Sequence, residues 1–119
     1  MADVKSAATR LETAMPREHR AFERFRSPPL VVELSDRTFG TVDWSVGGAL
    51  LAEVENQGWR CGQSIDVRVG LPAGQRLPDQ MIVVRYSPET KHLAVRARSH
   101  ASALTQVKQA CEIAGIAVR

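Results

Sequence analysis

Cysteine, histidine and aromatic residues are all scarce in this 119-residue chain, and each scarcity removes a class of function. The two cysteines, Cys61 and Cys111, lie far apart in segments of different character and in no CxxC pattern, so two reduced thiols are expected. His19, His92 and His100 are scattered without ligand spacing, and no metal site is expected. Aromatic residues make up 5% of the chain, too few for a surface that stacks successive bases. No run of eighteen apolar residues exists, so no membrane span is expected. Met1 to Met15 lacks the apolar stretch of a signal peptide, which points to a cytoplasmic protein. The net charge of +3 is too small to imply a nucleic acid polymer as partner. No paired carboxylates, metal cluster or activated nucleophile stands out, so an enzyme is not expected.

What is present fits one domain with a real core: 44% hydrophobic and 24% charged residues are ordinary for a globular chain of this length. Val4, Ala7, Ala8, Leu11 and Met15 recur at helical spacing and predict a short N-terminal helix, which Pro16 interrupts. Residues 17–29 are arginine-rich and end in Ser27-Pro28-Pro29, which forces an extended exit. From Leu30 the period becomes that of strands. Leu30–Leu34, Thr38–Trp44, Ala49–Val54, Gln63–Val69, Met81–Tyr86 and His92–Ala97 read as six strands. Ser35-Asp36-Arg37, Gly47-Gly48 and Ser87-Pro88-Glu89-Thr90 are read as turns, and Pro72–Pro78 as a loop. Leu104, Val107, Ala110, Cys111, Ile113 and Ala114 then repeat at three-to-four-residue spacing, a helix with Gly115 as its stop. Short strands at even spacing predict a small antiparallel barrel, because closure removes exposed edges. The final helix either plugs one end or packs along the outside.

Two short segments carry the candidate chemistry. Arg17, Arg20, Arg24 and Arg26 fall within ten residues, against a single lysine among the first thirty. Such a run is often a solvated face, here balanced by Glu18 and Glu23. Guanidinium forks also grip phosphate through paired hydrogen bonds and stack on purine faces. The second segment is Asp43-Trp44-Ser45-Val46-Gly47-Gly48. Alone, such a segment is more often a plain hairpin turn than a ligand cradle. Asp43 and Ser45 share one strand parity, so a carboxylate that accepts guanine N–H groups and a hydroxyl that reaches a base or phosphate face the same side. Trp44 has the opposite parity and is expected in the core. Trp59 lies in a loop, as a lid or a partner contact.

In order, the two segments resemble the PilZ family, whose pattern is RxxxR followed by [D/N]xSxxG. Arg20 and Arg24 match the first part; Asp43, Ser45 and Gly48 match the second. Ala49-Leu50-Leu51, Gly62-Gln63-Ser64-Ile65-Asp66-Val67 and Val83-Val84-Arg85 also resemble the family's continuation, so the likeness covers roughly residues 17–114. It implies a mainly β fold: a six-stranded antiparallel β-barrel with a C-terminal α-helix and a flexible arginine-rich N-terminal segment. Residues 1–16 would be an extension, 17–115 the domain and 116–119 a tail. The ligand implied is cyclic di-GMP, with no other cofactor. Arg20 and Arg24 would clamp phosphate and stack on guanine, Asp43 and Ser45 would contact ligand edges, and Gly48 would keep the turn open. Arg17, His19 and Gly47 are secondary candidates. Closure of residues 17–29 over the ligand would be the switch.

The chain departs from the family at His19, where members that hold a stacked pair of ligands have a further arginine, and at Leu93–Ala97, where a Gly and a Phe are usual. The resemblance implies a receptor that signals occupancy in trans to an effector protein, as monomer or homodimer. The alternatives are a ligand-independent interaction module on the same barrel and a small nucleic-acid-binding barrel.

Overall fold

The computed structural model describes residues 22–99 and 101–119; the expected N-terminal helix, and Arg17, His19 and Arg20, lie outside the described residues. Six strands follow in chain order: β1 (Val31–Leu34), β2 (Arg37–Ser45), β3 (Gly48–Leu51), β4 (Ser64–Gly70), β5 (Arg76–Ser87) and β6 (His92–Ala97). They close into an antiparallel barrel in the order β1-β2-β3-β6-β5-β4, and one helix, α1 (Ala103–Ile113), comes last. The expected six-stranded barrel with a C-terminal helix is the observed architecture.

Alternation drives the closure. In β4, Ile65, Val67 and Val69 point inward while Ser64, Asp66 and Arg68 face water. Ala49 and Leu51 of β3 and Leu93 and Val95 of β6 complete the lining. Each large apolar side chain removed from water contributes about 1.5–3 kcal/mol, so this lining outweighs any single polar contact on the surface. Trp44 is wholly buried, as its parity predicts. Its ring meets Phe25 edge-on at 5.1 Å between centroids, and its Nε1 donates to the Pro28 carbonyl at 2.8 Å.

Two strands break the alternation, each by one residue. In β2, Phe39 and Trp44 both face inward although five positions separate them. The register shift between Thr41 and Asp43 leaves Val42 as an extra residue, which resets the parity. In β5, Met81 and Val83 face inward, Val84 is the extra residue, and Tyr86 is the next to pack on the core. Without these bulges Asp43 and Arg85 would face the barrel interior. With them, both stand on the outer wall.

Helix α1 packs against β4 and β5 through Leu104, Val107 and Cys111, all fully buried. Its N-cap Ser102 accepts from Thr105 N at 3.3 Å and donates to the Val46 carbonyl at 3.2 Å. Asp79 of β5 accepts the Ala103 N–H at 2.9 Å. After Gly115, which takes the left-handed conformation (φ 74°), the chain returns to the N-terminal side of the domain. There Arg119 accepts hydrogen bonds from the backbone N–H groups of Arg26 and Ser27 and donates to Ser27 O, all at 2.8–2.9 Å.

Three boundaries differ from expectation. The loop read over 72–78 is shorter, because β5 begins at Arg76 and carries Pro78 in register with Arg68. β6 pairs with β5 only from Met81 onward, so Pro78 sits where β5 has a single paired neighbour and its missing N–H costs little. β3 ends at Leu51 rather than Val54. The hairpin turn is Val46-Gly47, with Gly48 already paired to Ser45 in β3, and neither glycine takes a left-handed conformation.

Candidate functional site

The arginine segment reaches the barrel wall through Phe25. Its N–H and carbonyl pair with Trp44 as a one-residue antiparallel bridge, and this fixes Arg24 beside the outer face of β2. Arg24 Nε and Nη2 both donate to Asp43 Oδ1, at 3.1 and 2.5 Å. The pair is partly exposed, with side-chain accessibilities of 32% and 22%. Ser45 is buried (6% exposed), and its Oγ accepts the Gly47 N–H at 3.1 Å, which leaves its own O–H to donate.

These residues line one side of a groove of about 400 Å³ that crosses four strands. The register defines two rows across it. One runs Asp43–Leu50–Ala94–Arg85 and the other Ser45–Gly48–Arg96–Ile82. Leu50, Ala94 and Gly48 form the floor, and Phe22 stands at the rim. A Cβ added at Gly47 would overlap the Phe22 ring, and one added at Gly48 would collide with the Val95 carbonyl. Gly48 therefore keeps β3 close to β6 rather than holding a turn open.

Of the candidate residues, Arg24, Asp43, Ser45, Gly47 and Gly48 come together here, while Arg17, His19 and Arg20 lie outside the described residues. Sequence reading missed Phe22, Arg85 and Arg96 as groove residues. Val83-Val84-Arg85 was legible only as part of a likeness, and its outward turn depends on a bulge that no periodicity reports. Trp59, left open between lid and contact, packs partly buried against the core with its Nε1 on the Glu55 carbonyl at 2.9 Å. A larger depression of about 530 Å³ elsewhere on the barrel is lined by Glu33, Asp36, Asp66 and Asp79 with Arg68 alone opposing them, the wrong sign for a phosphate. Among the described residues no group of three or more His, Cys, Asp or Glu could hold a metal ion. No described helix is long and apolar enough to cross a membrane.

No protein-family model matches the sequence, and no curated protein matches it either. Solved structures do. The inhibitor of motility MotI/DgrA of Bacillus subtilis superposes with a TM-score of 0.61 at 16% identity, over 84% of this chain and 56% of that one. YcgR of Escherichia coli in complex with c-di-GMP gives 0.54 at 20% identity, over 82% of this chain and 45% of that one. The PilZ domain of the same protein, with c-di-GMP, gives 0.52 at 19% identity, over 82% of this chain and 98% of that domain. The fold is that of a PilZ domain. This chain spans about half the length of the first two neighbours, and nearly the whole of the isolated PilZ domain. The PilZ fold thus accounts for the barrel order and α1, and the groove lies on its β2-β3-β6-β5 wall.

Proposed function

We propose that this chain is a cytoplasmic cyclic di-GMP receptor that works by binding alone and passes ligand occupancy to a partner protein in trans. The observation that carries the reading is the Arg24–Asp43 pair at the mouth of a groove on a PilZ barrel. A guanidinium for phosphate and a carboxylate for guanine N–H donors are thereby side by side. Arg20 and Arg24 clamp the ligand, Asp43 and Ser45 read its edges, and Gly48 holds the strands at the spacing the groove needs. Arg17, His19 and Gly47 have supporting places. Two of the structural neighbours were solved with c-di-GMP, which supports the choice of ligand.

Calorimetric titration with cyclic di-GMP, with GTP and Arg24→Ala as controls, tests this. Selective heat lost in the variant is the expected result, and the stoichiometry distinguishes one ligand from a stacked pair. A folded sample with no heat and no thermal shift would overturn the reading in favour of a ligand-independent adaptor.

A further inference from the structure

The groove has a second side, opposite Asp43. Arg96 lies two strands from Ser45 and Arg85 three strands from Asp43. Measured along the curved barrel wall, with strands spaced about 4.8 Å apart, their backbones lie roughly 10 and 14 Å from those two residues. Both side chains are exposed, and neither is paired with a carboxylate among the described residues. Arg76 is engaged by Glu33 and Arg98 by Gln80, whereas Arg37 and Arg68, which lie outside the groove, share the lack of a carboxylate partner among the described residues. Among the described residues the groove lining holds Arg24, Arg85 and Arg96 against the carboxylate of Asp43, a surplus of two positive charges. Between the two sides the floor is Leu50, Gly48 and Ala94, an apolar surface for a ligand that lies across the strands.

We propose that Arg85 and Arg96 form a phosphodiester-binding station on β5 and β6, so that the groove takes a two-ended ligand with a purine at Asp43 and a phosphate on this far wall. The inference rests on the cyclic dinucleotide reading, and extends it to residues outside both sequence motifs. A cyclic dinucleotide carries two phosphodiester charges, equal and opposite to the surplus in the groove. The β5 bulge at Val84 is what turns Arg85 onto this wall. A guanidinium serves the role better than an ammonium, because its fork meets two phosphate oxygens at once.

The test is titration of cyclic di-GMP against the full chain and its Arg85→Ala, Arg96→Ala, Arg85→Lys and Arg96→Lys variants, with Arg68→Ala on β4 as a control outside the groove. Each alanine variant is expected to weaken binding about tenfold or more, the lysine variants less, and Arg68→Ala less than twofold. All three side chains altered are exposed, and melting temperatures report whether each variant is folded. Wild-type binding that survives both alanine substitutions within twofold would overturn this inference and leave the receptor reading standing. A folded wild type that does not bind at all would overturn the receptor reading, and this inference with it.

Discussion

Arg24 and Asp43, nineteen residues apart in sequence, are joined through two guanidinium nitrogens on a single carboxylate oxygen. Among the described residues Asp43 Oδ2 accepts no hydrogen bond and Arg24 Nη1 donates none. The pair therefore keeps a free carboxylate oxygen and the two N–H groups of Nη1 for a ligand without having to separate. A partly exposed ion pair contributes about 0–1 kcal/mol to stability. Losing a charge-assisted ligand contact costs about 1.5–3 kcal/mol of binding.

Arg24→Ala is accordingly expected to melt within a few degrees of the wild type while losing at least about tenfold in cyclic di-GMP affinity. Asp43→Ala should behave alike. Thermal denaturation and calorimetry on the same samples make the comparison; a large fall in Tm with unchanged affinity would make the pair a structural contact.

The adjacent glycines should separate in the opposite sense. At Gly48 a methyl group meets the Val95 carbonyl, which is backbone and cannot swing aside. Gly48→Ala is expected to cost about 1–3 kcal/mol in urea unfolding. At Gly47 the obstacle is the ring of Phe22, which is 41% exposed and free to rotate away. Gly47→Ala should cost less than about 0.5 kcal/mol, yet weaken ligand binding by moving Phe22 from the groove rim.

That contrast also marks where the sequence stops being readable. His92–Ala97 follows its period without interruption, so β6 coincides with its predicted bounds. Helix α1 starts one residue before its first periodic leucine, but of the expected stripe it fully buries Leu104, Val107 and Cys111 and leaves Ile113 89% exposed, with Ala114 as the C-cap. Asp43, Trp44 and Ser45 kept their relative parity because they lie together beyond the bulge. What the bulge at Val42 decides is the absolute face, since it lets Phe39 and Trp44 both turn inward. The same device at Val84 hid Arg85, and Arg96 became a groove residue only once β6 was placed beside β3. Pro78 misled for a simpler reason: a proline argues against a strand only where both neighbours are paired. In the candidate site, the residues carried by the two short motifs were legible, and those brought in across four strands were not.

Ser102 joins α1 to the groove, because one hydroxyl caps the helix and also bonds the Val46 carbonyl in the β2–β3 turn. Ser102→Ala is expected to cost about 1–2 kcal/mol, read as a lowered urea midpoint with an unchanged slope. Lys108→Ala, which removes only an exposed pair with Glu112 one turn along, should cost no more than about 0.5 kcal/mol.

The two thiols should differ sharply in reactivity. Cys61 is exposed, whereas Cys111 is fully buried, and burial followed by the neighbouring Glu112 carboxylate pushes its thiol pKa up. A thiol reagent at neutral pH is expected to label one equivalent in the native protein and two in denaturant. Because the folded pKa lies above the unfolded one, Cys111 leaves stability unchanged below about pH 8.5 and lowers it above that value. A urea series across that range checks the sign.

The pairing of Arg119 with Arg26 and Ser27 has a mechanical meaning. The strand that carries Arg24 is gripped on two sides, by Trp44 on the barrel and by the residues that follow α1. A pull on Arg119 would load those hydrogen bonds, two residues from Arg24. A displacement of the residues after α1 is therefore passed to the same few residues that hold Arg24 beside the candidate groove.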